Sequence, residues 1–166
     1  PRRKERDLRF LYFDRVTRLE RGKIIRGIKT FPLSEEYLNR HFTREPVVPG
    51  VILIEAMSQL TGWLVAYSLD FKMNCVISLI DDIEAPTKLR PGETVEIVGE
   101  IVDMNKKASL CRARIEKGGE IIARGGRLIY PHFPNPRPEV LAERFRLYAG
   151  RNDLENGGGP SAGEAP

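Results

Sequence analysis

Val51 to Phe71 is the one long apolar run in this chain, and it carries Glu55 and Gln59 near its start and Gly62 in its middle. A run of that length is either a membrane span or a helix buried in a protein core. An acid and an amide within it favour the core helix over the span. The expected helix covers Val51 to Asp70 and is opened by Pro49 and Gly50, since proline suits a first helical turn. It is apolar nearly all round, so the rest of the chain should enclose it rather than leave it on a surface.

The sequence on either side has a different period. Phe10 to Val16 reads as a strand, Leu19 to Lys23 as a turn and Ile24 to Phe31 as the returning strand. Pro32 to Arg40 tolerates one short turn of helix, and His41 to Gly50 is proline-rich and irregular. After the helix, four segments read as strands: Asn74 to Ile83, Glu93 to Met104, Ala108 to Lys117 and Glu120 to Tyr130. In the second of these, Val95, Ile97, Gly99 and Ile101 share one face while Glu96, Val98 and Glu100 share the other. Gly118-Gly119 is a good hairpin turn, because paired glycines accept positive φ. Strands joined by short turns around one helix imply an α+β fold, an antiparallel sheet wrapped around that helix.

The 166 residues suit one domain with a substantial core. The expected organisation is a basic lead-in (1–9), a folded unit (10–134), a C-terminal helical extension (135–150, with a helix over Pro138 to Ala149) and a disordered tail (151–166) rich in Gly, Pro and Asn. The net charge of +4 is concentrated near the ends. That excess is either solvent-facing or an attraction for an acidic partner. The basic residues are not interleaved with aromatics, which argues against a nucleic-acid surface. Two cysteines, Cys75 and Cys111, cannot make a disulfide framework; each sits in a strand-like run and reads as a buried free thiol. No signal-peptide pattern opens the chain, so a reducing, cytoplasmic setting is expected. No cluster has metal-ligand spacing.

Only His41 and His132 ordinarily titrate near neutral pH. His41 lies just before the helix, whereas His132, past the last strand, reads as a surface or packing residue. Glu55 lies one turn inside the helix, where an unpaired carboxylate is costly. It is either a working acid or a charge that favours the helix's N-terminus. The first amides of that helix, Gly50 and Val51, have no carbonyl partner within it and form a donor site for an oxygen gaining negative charge. A base, an acid and orphan amides together suit proton abstraction beside a carbonyl with loss of a β-leaving group. The fourteen residues between His41 and Glu55 leave their meeting to the fold or to a second subunit.

The stretch His41-Phe42-Thr43-Arg44-Glu45-Pro46-Val47-Val48-Pro49-Gly50, followed by Val51-Ile52-Leu53-Ile54-Glu55-Ala56-Met57-Ser58-Gln59, closely resembles the active-site motif of the FabA/FabZ-type β-hydroxyacyl-acyl-carrier-protein dehydratases. Every spacing matches, and the resemblance extends over about Phe10 to Tyr130. It implies a hot-dog fold whose dimer continues the sheet, with each active site at the dimer interface. It also implies a homodimer open to assembly as a hexamer (a trimer of dimers), no cofactor, and an acidic acyl carrier protein or coenzyme A as carrier. Carried over, His41 abstracts the C2 proton of a (3R)-3-hydroxyacyl thioester and Glu55, kept protonated by apolar surroundings, protonates the departing hydroxyl. Gly50 and Val51 amides hold the thioester oxygen, and Gln59 holds the Glu55 carboxyl. Glu at position 55 resembles the FabZ branch. Two departures concern substrate identity: Thr43-Arg44 replaces the family's Pro-Gly, and Ala85 to Arg90 replaces a Phe-Arg-x-Pro-like run. Arg44, Lys88 and Arg90 are the candidate carrier contacts. A thioesterase and a non-catalytic acyl-binding subunit are the alternatives on the same fold.

Overall fold

A computed structural model describes residues 11–39, 45–86 and 89–149. The apolar run forms helix α1 (Gly50–Ser68), entered from Pro49 at φ −59° and ψ 139°. It ends two residues before the expected Asp70. Asp70 and Phe71 turn into the left-handed region, at φ 53° and 58°. There the Phe71 amide donates to the Ala66 carbonyl at 2.8 Å and the Asp70 amide to Tyr67 at 3.1 Å, closing the last turn.

Around α1 the chain lays down β1 (Arg15–Glu20), β2 (Ile24–Thr30), a 3-10 turn (Glu36–Asn39), β3 (Met73–Cys75), β4 (Leu79–Glu84), β5 (Thr94–Met104), β6 (Ala108–Lys117) and β7 (Glu120–Pro134), and finally helix α2 (Pro138–Ala149). The strands form one antiparallel sheet in the order β1-β2-β5-β6-β7, with both β3 and β4 on the far side of β7. Helix α1 touches β2, β3, β5, β6 and β7, so the sheet curls around it in the α+β hot-dog arrangement.

Two glycines let the helix sit this close. A Cβ on Gly99 of β5 would fall 2.4 Å from Thr61 Oγ1. A Cβ on Gly27 of β2 would meet the Leu60 methyls at 3.2 Å and the Arg15 carbonyl oxygen at 2.9 Å. Leu53, Ala56, Met57, Leu60, Leu64 and Val65 are thereby fully buried against Ile25, Ile97, Ile115 and Leu128. The sheet covers only that side. Val51 is 66% exposed and Glu55 is exposed too, so the helix is not enclosed all round as its composition implied.

Three strand expectations need correction; most simply, β7 runs past the expected Tyr130 to Pro134. The first strand does not cover Phe10 to Val16; it begins at Arg15, and residues 11–14 run beside β2 outside the regular ladder. The cause is Asp14. Its amide donates to the Ile28 carbonyl at 2.7 Å, but its carboxylate, not a backbone carbonyl, accepts from the Thr30 amide at 2.7 Å. The segment Asn74 to Ile83 is two strands rather than one. From Cys75↔His132 to Leu79↔Ile129, four residues advance on one side against three on β7, a one-residue slip that breaks the pairing.

Gly99→Ala should lower unfolding stability by about 1–3 kcal/mol, the cost of overpacking a close helix–sheet contact, as measured by urea denaturation. An unchanged midpoint would show that α1 can move off the sheet freely.

Candidate active site

The head of α1 is fixed by its neighbours. The Val48 amide donates to the Leu89 carbonyl at 2.8 Å, and both side chains are buried. A Cβ on Gly50 would lie 2.2 Å from the Ala85 carbonyl oxygen, so the chain leaving β4 packs directly on this residue. Glycine is required here because backbone approaches backbone. The Ile52 amide reaches the Pro49 carbonyl at 2.9 Å. The amides of Gly50 and Val51 precede it at the positive end of the helix.

One turn further, Gln59 Nε2 donates to Glu55 Oε1 at 2.8 Å. The Gln59 carbonyl oxygen accepts from the Tyr12 backbone amide at 3.0 Å. An N–H can donate only to the oxygen end of the amide, so Tyr12 fixes which end of Gln59 faces Glu55. Two residues on, Asp14 ties the same segment to β2, its carboxylate accepting from the Thr30 amide and meeting Lys29 Nζ at 3.3 Å. The carboxyl of Glu55 is therefore oriented through Gln59 by the segment before β1. It is exposed in the single chain rather than buried among apolar groups as expected, because Val51, Glu55 and Gln59 form the helix stripe facing away from the sheet.

Glu55 and Gln59 open onto a cavity of about 330 Å³. Its helical wall continues through Ser58, Gly62, Trp63 and Ala66; the other wall is Asn74 to Ile77, Tyr130 and Leu141. The volume is near the lower limit of small-molecule sites, roughly 300–1,000 Å³. The lining is apolar apart from the Glu55 end and Asn74. Buried Tyr130 donates its hydroxyl to the Ser58 carbonyl at 2.9 Å, bracing β7 against α1, and burial holds its phenol well above the usual range.

Glu55, Gln59 and the Gly50 and Val51 amides thus fall together within three turns of one helix. His41, Arg44 and Lys88 lie outside the described residues. Arg90 is exposed and ion-paired with Glu45. His132 is part-buried on β7, its Nε2 2.9 Å from Ser109 Oγ, and burial lowers its pKa; it does not line the cavity. Tyr12 was missed as a site residue because it acts through its backbone amide, which residue type does not reveal, and Asp14 because its carboxylate's partners, Thr30 and Lys29, are distant in sequence. Ala85 and Leu141 were missed because only the folded chain brings them to the helix, and Trp63 because the all-apolar helix pattern does not show which of its faces lines a cavity. Cys111 is buried, whereas Cys75 is only half-buried and lines the cavity. Among the described residues no group of three or more His, Cys, Asp or Glu could hold a metal ion. Helix α1 is long and apolar enough to cross a membrane, but half of its most apolar window is packed inside the fold.

Residues 5–125 match the family model of the FabA-like domain. The chain belongs to the FabA-like family. It is 31% identical over 117 residues to a 3-hydroxyacyl-acyl-carrier-protein dehydratase FabZ of Clostridioides difficile, covering 70% of this chain and 82% of that one. Among solved structures, the fold is similar to a dehydratase heterocomplex from Xenorhabdus doucetiae, with TM-score 0.61, 14% identity, and 80% of this chain and 89% of that one covered. It is also similar to a Streptococcus mutans protein bound to acetyl CoA, with TM-score 0.59, 16% identity, and 78% and 96% covered.

Burial pushes the Cys75 thiol up to about 11, and Cys111 up to about 12 with the neighbouring Cys75 adding to it. A raised pKa means less thiolate at neutral pH than in free cysteine. Labelling of Cys75 by iodoacetamide should therefore be slow at pH 7 and rise about tenfold per pH unit until near pH 11. Peptide mass spectrometry reads the rate; labelling at pH 7 faster than free cysteine would contradict the placement.

Proposed function

We propose that this FabA-like protein is a lyase that dehydrates (3R)-3-hydroxyacyl thioesters to trans-2-enoyl thioesters in lipid synthesis, with no cofactor. One observation carries the reading: a carboxyl group held by Gln59 at the mouth of an apolar cavity, a little over one turn from the helix-head amides. The acyl chain occupies the cavity, and the thioester oxygen lies against the Gly50 and Val51 amides. His41 removes the C2 proton, and the charge that develops on the thioester oxygen is met by those amides. Glu55 donates a proton to the 3-hydroxyl, the C3–O bond breaks and water leaves as the C2–C3 double bond forms. The proton on His41 then returns to Glu55, restoring both groups.

His41 of one protomer serves Glu55 of its partner in this reading. The uncovered helix stripe at Val51 and Glu55 supports a second copy against α1. So does the free edge beside β4, where Leu79 and Ile80 are exposed at 37% and 38%. Such an apolar edge invites pairing. The dimer is the unit, with a trimer of dimers as the larger assembly. Residues 10–134 form the catalytic unit, 135–150 an extension and the two ends flanking segments, in a cytoplasmic enzyme. The carrier is an acidic acyl carrier protein, with a coenzyme A thioester as the simpler substrate. Arg44 and Lys88 are the main docking cations, since Arg90 is engaged by Glu45.

Enoyl thioester formation by the purified protein is the test. His41→Ala and Glu55→Gln should each lower kcat by about 10²–10⁴-fold with the circular dichroism spectrum unchanged. Turnover indifferent to both changes would refute the mechanism. Thiol release without enoyl product would favour thioester hydrolysis instead.

A further inference from the structure

We infer that helix α2 is the gauge of acyl-chain length, with Leu141 as the side chain that sets the depth of the cavity; this rests on the acyl-thioester reading above. The FabA-like match ends at residue 125, and α2 (Pro138–Ala149) lies wholly beyond it. Yet Leu141 lines the same cavity as Glu55. Trp63, which lines the same cavity from the helical wall, lies eight residues beyond Glu55 on α1, about 12 Å along the helix axis at 1.5 Å per residue.

The placement of α2 is specified by several contacts. Asn135 fixes the joint before it: its side-chain Nδ2 donates to the Phe71 carbonyl at 2.9 Å, and its amide donates to the Lys72 carbonyl at 2.8 Å. Phe145 then stacks on Trp63, with centroids 5.1 Å apart and planes at 25°, and meets Phe71 at 5.6 Å and Tyr67 at 6.1 Å. Tyr148 meets the edge of the same indole at 6.1 Å. Phe145 and Ala149 are fully buried. Leu141 is one turn before Phe145 and on the same face, so the cluster that seats Phe145 also holds Leu141 at the cavity wall. Charged Glu139, Glu143, Arg144 and Arg146 lie exposed on the rest of α2, as does Leu147 at 72%. An apolar side chain on a helix seated against Trp63, about two turns beyond the acid on α1, meets the tail of an acyl chain and not its thioester.

The experiment compares 3-hydroxybutyryl, 3-hydroxyoctanoyl and 3-hydroxydodecanoyl coenzyme A, reading both enoyl formation and the Kd from calorimetry. Leu141→Ala should shift the dodecanoyl-to-butyryl ratio of kcat/KM, and of affinity, about tenfold toward the long chain, and Leu141→Trp should shift it the other way. Leu147→Ala should leave the ratio alone. Active wild type with a ratio unmoved in both Leu141 variants would overturn the gauge and leave the dehydratase reading standing. Wild type that binds all three thioesters but forms no enoyl product would overturn the dehydratase reading, while the binding ratios still decide the gauge.

Discussion

Helix α1 lies as close to the sheet as it does because β2 and β5 each place a glycine at the point where the helix crosses them. With Gly27 and Gly99 at the crossing, Leu60 and Thr61 settle directly onto backbone. The rotation of the helix follows from that contact. Leu53, Met57, Leu60 and Leu64 turn into the sheet, and the residues on the other side have to turn out. Val51, Glu55 and Gln59 are on that outer stripe, so the same packing that fills the core presents the acid to the cavity. The backbone approach at Gly50 works in the same sense, pinning the helix head under Ala85 and fixing where its first amides lie.

Much of this was legible in the residues. The alternating pattern of β5 to β7, the Gly118-Gly119 turn at φ 59° and 87°, and the span of α2 all report local physics, and the local signal decided the outcome. The pairing of Gln59 with Glu55 was legible from their four-residue spacing. What was illegible depended on partners distant in sequence. Asp14 replaces a ladder bond with its side chain, and so moves the first strand to Arg15. Strand β7 continues past Tyr130 through two prolines, because Ala108 pairs with Pro131 and the Lys107 carbonyl accepts from the His132 amide at 2.8 Å. The enclosure expected for Glu55 was inferred from its apolar neighbours in sequence, whereas burial depends on which side of the helix the sheet covers.

In the proposed elimination each part of the arrangement has a separate task. The helix head supplies fixed dipoles, Gln59 and the Tyr12 amide orient the carboxyl, and the apolar wall from Trp63 to Tyr130 takes the chain. None of these supplies a base. In the proposed mechanism that part falls to His41, and the open stripe beside Glu55 leaves room for it to come from a second copy.

Subunit complementation tests that sharing most directly. His41→Ala and Glu55→Gln proteins, each inactive alone, are mixed in equal amounts, allowed to exchange subunits and assayed for enoyl thioester formation. A shared site leaves one intact centre in every mixed dimer, so about a quarter of the wild-type rate should return. A mixture proven to contain mixed dimers that stays as inactive as its components would contradict a site built from two chains.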